Sequence, residues 1–230
     1  DWQLMAVDQE AEEGEEELGP AEAKVYRGIT ARLNYIAPDR IDLQYATKEA
    51  ARRMSKPRAC DMNLLRRIGR YLVGRPRLVM HFEWQAMPCL VTGYSDSDWA
   101  GCPTSAKSTS GGIACLGKHM IKTWSRQQRT IALSSAEAEL HAMVACSAEV
   151  LGTISLCRDL GVEVGGEVYV DSSAALGILQ RAGYGKVRHL RIQSLWVQEV
   201  RSSGRLAYRK VLGTLNTSDV LTKHVPGDLL

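Results

Sequence analysis

Apolar positions recur at two different periods along the chain, and the period changes near residue 78. In the first third the spacing is helical. Ala21, Ala23, Val25, Tyr26, Ile29, Leu33 and Tyr35 follow Pro20, which suits the first turn of a helix, and Pro38 closes the run. Residues 41–54 predict a second, Ala-rich helix ending in Arg. Asp61 has the character of an N-cap for a third, in which Leu64, Leu65, Ile68, Tyr71 and Leu72 share a face and Gly74 is the stop. This helical third is expected to be too small for an independent core of any depth. Beyond it come strand-like runs at 78–82, 90–95, 111–116 and 119–124, with Gly117-Lys118 as a tight hairpin turn between the last two. Ser134-Ser135-Ala136-Glu137 is a capping-box pattern opening a long helix, with Leu140, Met143, Val144, Ser147, Val150, Leu151 and Ile154 on one face. A short strand at 168–170 ends in Asp171, helices are expected at 172–181 and 190–200, and a strand at 206–211. Thr217-Ser218-Asp219 opens a last helix. This order predicts an α/β domain, a mixed sheet with helices packed on it.

Composition narrows the class. With 230 residues, 45% hydrophobic and 24% charged, the chain can be one large domain or a domain with an appendage. The net charge of +3 matters less than its distribution. Glu10, Glu12, Glu13, Glu15, Glu16 and Glu17 form an acidic block, and residues 1–19 are expected to be a disordered tail. Arg52, Arg53, Lys56, Arg58, Arg66, Arg67, Arg70, Arg75 and Arg77 are opposed only by Asp61. Such a segment is either a solvated helix face or a phosphate-contacting surface. The six cysteines show no C-x-x-C pairing, which argues against zinc and for free thiols in a reducing compartment. No apolar run is expected to reach the roughly 18 residues of a bilayer span. The start, Asp1-Trp2-Gln3, has no signal-peptide pattern and reads as a piece of a longer polypeptide. An intracellular setting, not a secreted one, is expected.

The candidate chemistry lies in carboxylates at element ends. Asp96 and Asp98 sit at i and i+2 of one strand and so would project to one face, where two carboxylates repel unless they share a proton or a cation. A strand running into a polar turn explains the same pair without chemistry. Asp96 and Asp171 each end a strand, and the crevice beyond strand ends is where ligands bind in sheets of this kind. Glu139 falls in the first turns of the long helix beside its apolar stripe. Asp219 opens the last helix, where an N-cap is its plain role. Taken one at a time, each acid has a structural explanation; their joint placement does not.

The order TGYSDSDWAGCPTSAKSTSGG, IKTWSRQQRTIALSSAEAELHAM, VYVDSSAALGIL, KVRHLRIQSLWVQEV, LNTSDVLTKHVP resembles the ribonuclease H domain of Ty/copia-type retrotransposon Pol polyproteins over residues 90–226. The upstream KVYRGITARLNYIAPDRIDLQYATKEAARRMSKP and LLRRIGRYLVGRP are similar to the segment that joins reverse transcriptase to ribonuclease H in the same polyproteins. The resemblance implies three parts: the acidic tail at 1–19, the helical end of the polymerase or connection segment at 20–86, and a ribonuclease-H-like domain at 87–230 with a mixed five-stranded sheet and flanking helices. It further implies a site of four carboxylates, Asp96, Glu139, Asp171 and Asp219. These would hold two Mg²⁺ ions (Mn²⁺ substituting), with Asp96 and Asp171 shared between metals, Glu139 on one and Asp219 on the other. Asp98 then becomes an outer or turn residue, and Glu137 a capping one.

The implied activity is hydrolysis of the RNA strand of RNA–DNA hybrids during reverse transcription, alongside the rest of the Pol polyprotein in a cytoplasmic virus-like particle or the nucleus, with no membrane. Ser95, Ser97, Ser134, Ser135 and Ser172 are candidates for reading 2′-hydroxyls, though Ser beside a turn is equally a cap. Arg126, Gln127 and Gln128 are candidates for the DNA strand, and Arg66 and Arg70 for phosphates. Trp99 and Trp124 are expected to pack rather than stack. The chain departs from the family pattern at Arg191 and Leu195, where many members carry an Asp and a His, which bears on substrate positioning. A catalytically inactive nucleic-acid-binding or tethering fragment is the alternative. An integrase is disfavoured because those enzymes place the glutamate last among their acids.

Overall fold

The computed structural model describes residues 16–181 and 192–223, so most of the acidic block, together with Arg188, His189 and Arg191, lies outside the described residues. The chain divides into two compact units at about residue 82.

In the first unit, helices α1 (Pro20–Ile36), α2 (Ile41–Arg52) and α3 (Ala59–Gly74) enclose Tyr26, Leu33, Leu43, Ala46, Ala50, Leu65 and Ile68. The expectation of a shallow assembly is thus corrected, since Tyr26, Leu43 and Ala50 are wholly buried. Two polar links close it. The Tyr26 hydroxyl donates to the Ala50 carbonyl at 2.8 Å, and Asp42 accepts from both Arg40 (2.7 Å) and the Tyr71 hydroxyl (2.8 Å). Asp61 is not the N-cap of α3. It stands three residues after the cap, Arg58, whose backbone N–H its carboxylate accepts at 2.7 Å. Glu17 forms an isolated bridge with Arg58, and the Leu18 N–H donates to the Pro57 carbonyl. Residues 78–82 do not form a strand; residues 75–88 have no regular secondary structure.

The second unit carries strands β1 (Leu90–Asp98), β2 (Thr109–Leu116), β3 (His119–Gln127), β4 (Gly165–Val170) and β5 (Ala207–Lys210) in the sheet order β3-β2-β1-β4-β5. The β1–β2 and β2–β3 pairs are antiparallel, and β1–β4 and β4–β5 are parallel. This is the mixed sheet the sequence pattern predicted, with the five strands the family resemblance implies. The β2–β3 turn is at Gly117-Lys118, where Gly117 has φ +60°, a conformation glycine adopts without penalty.

Helix α4 (Ser135–Asp159) crosses one face of the sheet; α5 (Ser173–Leu179) and α6 (Ile192–Ser202) add Leu176, Ile178, Leu179, Val197 and Val200 to the same core. Close approach of α4 requires glycine beneath it. A Cβ at Gly93 would lie 2.6 Å from both Cys146 Sγ and Val150 Cγ2, and one at Gly166 would lie 2.7 Å from Ile154. Among the described residues α4 is the one helix long and apolar enough to cross a membrane, which corrects the expectation that no run reaches that length. Leu140, Met143, Cys146, Val150 and Ile154 are buried against the sheet, and that core role accounts for its composition. The element expected to open a last helix is a 3-10 turn: after a first at Gly213–Leu215, a second, Thr217–Leu221, carries Asp219.

Candidate metal centre

Strand register brings the acids together. In the parallel pairing of β1 with β4, Ser95 faces Val170, so the next residues, Asp96 and Asp171, stand side by side where that pairing ends; Asp96 does not end its strand as expected, since β1 runs on to Asp98. Glu139 reaches the same point from the second turn of α4, and the Ser97 backbone N–H donates to its Oε1 at 3.2 Å. One oxygen from each of Asp96, Glu139 and Asp171 lies within 4.8 Å of the others. Asp219, two residues into the last 3-10 turn, is hydrogen-bonded to Asp96. Three of the four predicted acids therefore converge, and the fourth, Asp219, adjoins the group through Asp96.

Their environment is hostile to negative charge. Asp96 is 6% exposed and Glu139 8%. Burial, then the charges of Asp219 and Asp171, push Asp96 up to about 6, against the opposing hydrogen bond from the Thr222 hydroxyl. Burial, then the charges of Asp96 and Asp171, push Glu139 up to about 8, with Ser97 opposing. Glu139 Oε2 is buried with no hydrogen-bond partner among the described residues. A buried carboxylate oxygen left without a partner is costly. A cation removes that cost, and a donor set made only of carboxylate oxygens suits a hard divalent ion such as Mg²⁺. The residues present fit the metal.

The remaining predicted residues are distributed more widely. The Ser97 hydroxyl is buried beside the Glu139 carboxylate, and the Ser95 hydroxyl is buried with no hydrogen-bond partner among the described residues. Ser134 caps α4, its hydroxyl accepting the Glu137 N–H at 3.3 Å, and Ser172 caps α5 by accepting the Ala175 N–H at 3.1 Å. Ser135 is exposed at the first position of α4. The Glu137 carboxylate accepts the Leu133 N–H at 2.9 Å, and that of Asp98 accepts the Thr109 N–H, so both acids shape backbone near the site. Arg126 pairs with Glu149 at 3.1 Å, and Gln127 donates to the Ser105 hydroxyl at 3.4 Å. Gln128 is buried and links Ser110 to the Ala138 carbonyl. Arg66 and Arg70 are exposed on α3, in the helical unit. Trp124 is a core residue; Trp99 is half exposed, its indole N–H donating to the Ala132 carbonyl at 3.1 Å. Leu195 packs against the core.

Two buried residues beside the acids are absent from the sequence-based set. Asn216, not Asp219, is the N-cap of the last turn, and Thr222 closes it. An Asn before Thr-Ser-Asp is a cap signal in the sequence; nothing local to Thr222 marks it.

A mixed five-stranded sheet with one long helix across it and a carboxylate cluster at its strand ends is a ribonuclease-H-like fold. No protein-family model matches the chain. The retrovirus-related Pol polyproteins from transposons RE2 and RE1 of Arabidopsis thaliana are each 31% identical to it over 201 residues, 86% of this chain. A solved ribonuclease H1, LC11-RNase H1 from compost, is similar at a TM-score of 0.43 with 14% identity, over 58% of this chain and 93% of that one. Over most of its length the chain is similar to part of the retrovirus-related Pol polyproteins of Ty/copia-type transposons. It spans 14% of the length of the two Arabidopsis relatives.

Proposed function

We propose that this chain is an Mg²⁺-dependent ribonuclease H that hydrolyses the RNA strand of RNA–DNA hybrids during retrotransposon reverse transcription, with residues 20–86 as the end of the polymerase or connection segment. The observation that carries the reading is the convergence of Asp96, Glu139 and Asp171, with Asp219 bonded to Asp96, in a setting that disfavours their charge. A phosphodiester resists hydrolysis because its own oxygens repel a nucleophile and its leaving oxygen is poor. Two bound Mg²⁺ ions would supply an activated water and charge stabilisation at the leaving 3′ oxygen.

The protein's part is to hold and prepare. Asp96, Glu139, Asp171 and Asp219 are the residues that would bind the ions, and Glu139 and Asp96 must give up protons to do so. The Ser97 N–H holds Glu139 Oε1, and the unpartnered Oε2 would be available to a cation. Confining cleavage to RNA requires contact with 2′-hydroxyls across the minor groove, for which the exposed Ser135 and the backbone around the two helix caps are suited. The test is cleavage of a labelled hybrid in Mg²⁺. The parent is expected to cut the RNA strand and Asp96→Asn to lose activity by orders of magnitude. An Asp96→Asn variant as active as the parent refutes the assignment, and hybrid binding without cleavage in Mg²⁺ or Mn²⁺ points to the inactive tethering fragment.

A further inference from the structure

The last acid has the weakest scaffold of the four. Asp96 lies within β1 and Asp171 directly follows β4, two strands with neighbours on both sides, and Glu139 sits on a helix of 25 residues. Asp219 sits on a single 3-10 turn of five residues. Such a turn has poor hydrogen-bond geometry and little stability of its own. Something else must hold Asp219 against Asp96.

Both ends of the turn are fastened to β1 by side chains. Asn216, 4% exposed, donates from Nδ2 to the Ser95 carbonyl at 3.0 Å, one residue before Asp96. Its Oδ1 accepts the Ser218 hydroxyl at 2.6 Å and the Ser218 N–H at 3.3 Å, so one amide joins the strand to the turn. At the other end Thr222, 1% exposed, brings its hydroxyl to Asp96 Oδ2 and to the Asp219 carbonyl at 3.1 Å. Between these fastenings the turn lies on Gly111, which faces Asp96 across the β1–β2 ladder. A Cβ there would fall 2.7 Å from Thr222 Cγ2 and 2.9 Å from Leu221 Cβ. The missing side chain at 111 is what lets the turn seat.

We infer that Asn216 and Thr222 are positioning residues of the metal site: together they clamp the Asp219 turn onto β1, and Thr222 fixes the orientation of the Asp96 carboxylate. This rests on the metal-site reading above. Thr222 acts through Asp96 and Asp219, as hydrogen-bonded groups behind metal ligands generally do, and loss of such a group typically costs about 10–100-fold in metal affinity or activity.

The experiment uses the 230-residue chain with Thr222→Val, which keeps the shape and removes the hydroxyl, Thr222→Ser, which restores it, and Asn216→Ala. Metal affinity is read by calorimetry with Mn²⁺, and the clamp is read by amide hydrogen exchange over residues 217–222 without metal. Thr222→Val is expected to weaken Mn²⁺ binding roughly 10-fold or more and to speed exchange across the turn, with KM for hybrid little changed. Thr222→Ser should return affinity to within about 3-fold of the parent, because the hydroxyl and not the methyl does the holding. Unchanged exchange and Mn²⁺ affinity in both Thr222→Val and Asn216→Ala overturns the clamp. Faster exchange with unchanged affinity overturns its metal-positioning role. A parent that binds no Mn²⁺ refutes the metal-site reading itself, an outcome distinct from either.

Discussion

The carboxylates that make the site should make the metal-free protein less stable, and Glu139→Gln measures by how much. The Glu139 carboxyl stands at about 8 in the folded protein against an ordinary 4.5, so the folded chain keeps a proton that the unfolded chain has released. Stability from this group is therefore complete below about pH 4.5 and is lost as pH rises toward 8. At pH 7 the loss spans about two and a half pH units at about 1.4 kcal/mol each, on the order of 3 kcal/mol. Gln has the same shape, still accepts the Ser97 N–H and carries no charge to be desolvated. In EDTA at pH 7 the variant should melt above the parent. At roughly 2–4 °C per kcal/mol for a chain of this size, the gain is about 6–12 °C. At pH 4.5 the two should melt together. Saturating Mg²⁺ should then raise the parent's Tm more than the variant's, because the variant lacks one anionic ligand. Differential scanning calorimetry at the two pH values, with and without Mg²⁺, gives all four numbers. A gain of equal size at both pH values would mean that packing and not charge is the cause. No gain at pH 7 would mean that Glu139 is not held in the desolvated position the structure gives it.

Two other consequences follow from the same geometry. Metal must displace the protons that Glu139 and Asp96 hold at about 8 and about 6, so apparent Mg²⁺ affinity should rise roughly tenfold per pH unit between 6 and 8, steepen below 6 and level off above 8. Calorimetry in two buffers of different ionisation enthalpy should count about one proton released per site at pH 7, and a flat pH profile would refute the assignment. Gly93→Val places a side chain where a Cβ alone already meets Cys146 and Val150 at 2.6 Å, so it should cost about 1–3 kcal/mol or more in urea unfolding of the sheet unit. An unaffected midpoint would show that α4 can lift off the sheet without penalty.

What the sequence disclosed and what it withheld differ in a physically regular way. Helix α1 is legible because Pro20 and Pro38 bracket a 3.6-residue repeat, and α4 because Ser134 and Glu137 sit at capping distance before its apolar face. Those signals are local, carried by residues within one or two turns of each other. The first four strands were read short. β1 runs on to Asp98 and β2 begins at Thr109, because the Asp98 carboxylate takes the Thr109 N–H across 11 residues, a bond that Asp and Thr as residue types do not announce. At 78–82 the error ran the other way: apolar residues at strand-like spacing found no partner strand and stayed irregular. Apolar content there was read as period, and only pairing makes a strand.

The site divides along the same line. The four acids were found because a family pattern records which residues must meet, although 123 positions separate the first from the last. The residues that make them meet carry no such record. Asn216 reaches Ser95 across 121 positions and Thr222 reaches Asp96 across 126, and both are ordinary residues in a stretch that reads as the opening of a helix. The last turn is five residues long, too short to be held by its own backbone bonds. In the folded chain its hold comes from side chains pointing back into β1, and from Gly111, whose single hydrogen leaves the space they need. A short element at a metal site does not imply a loose one when its caps are spent on the strand that carries the neighbouring ligand. The position of Asp219 then depends on the β1–β2 ladder more than on helix propensity, and substitutions at Gly111 should disturb the metal site as directly as substitutions beside Asp219.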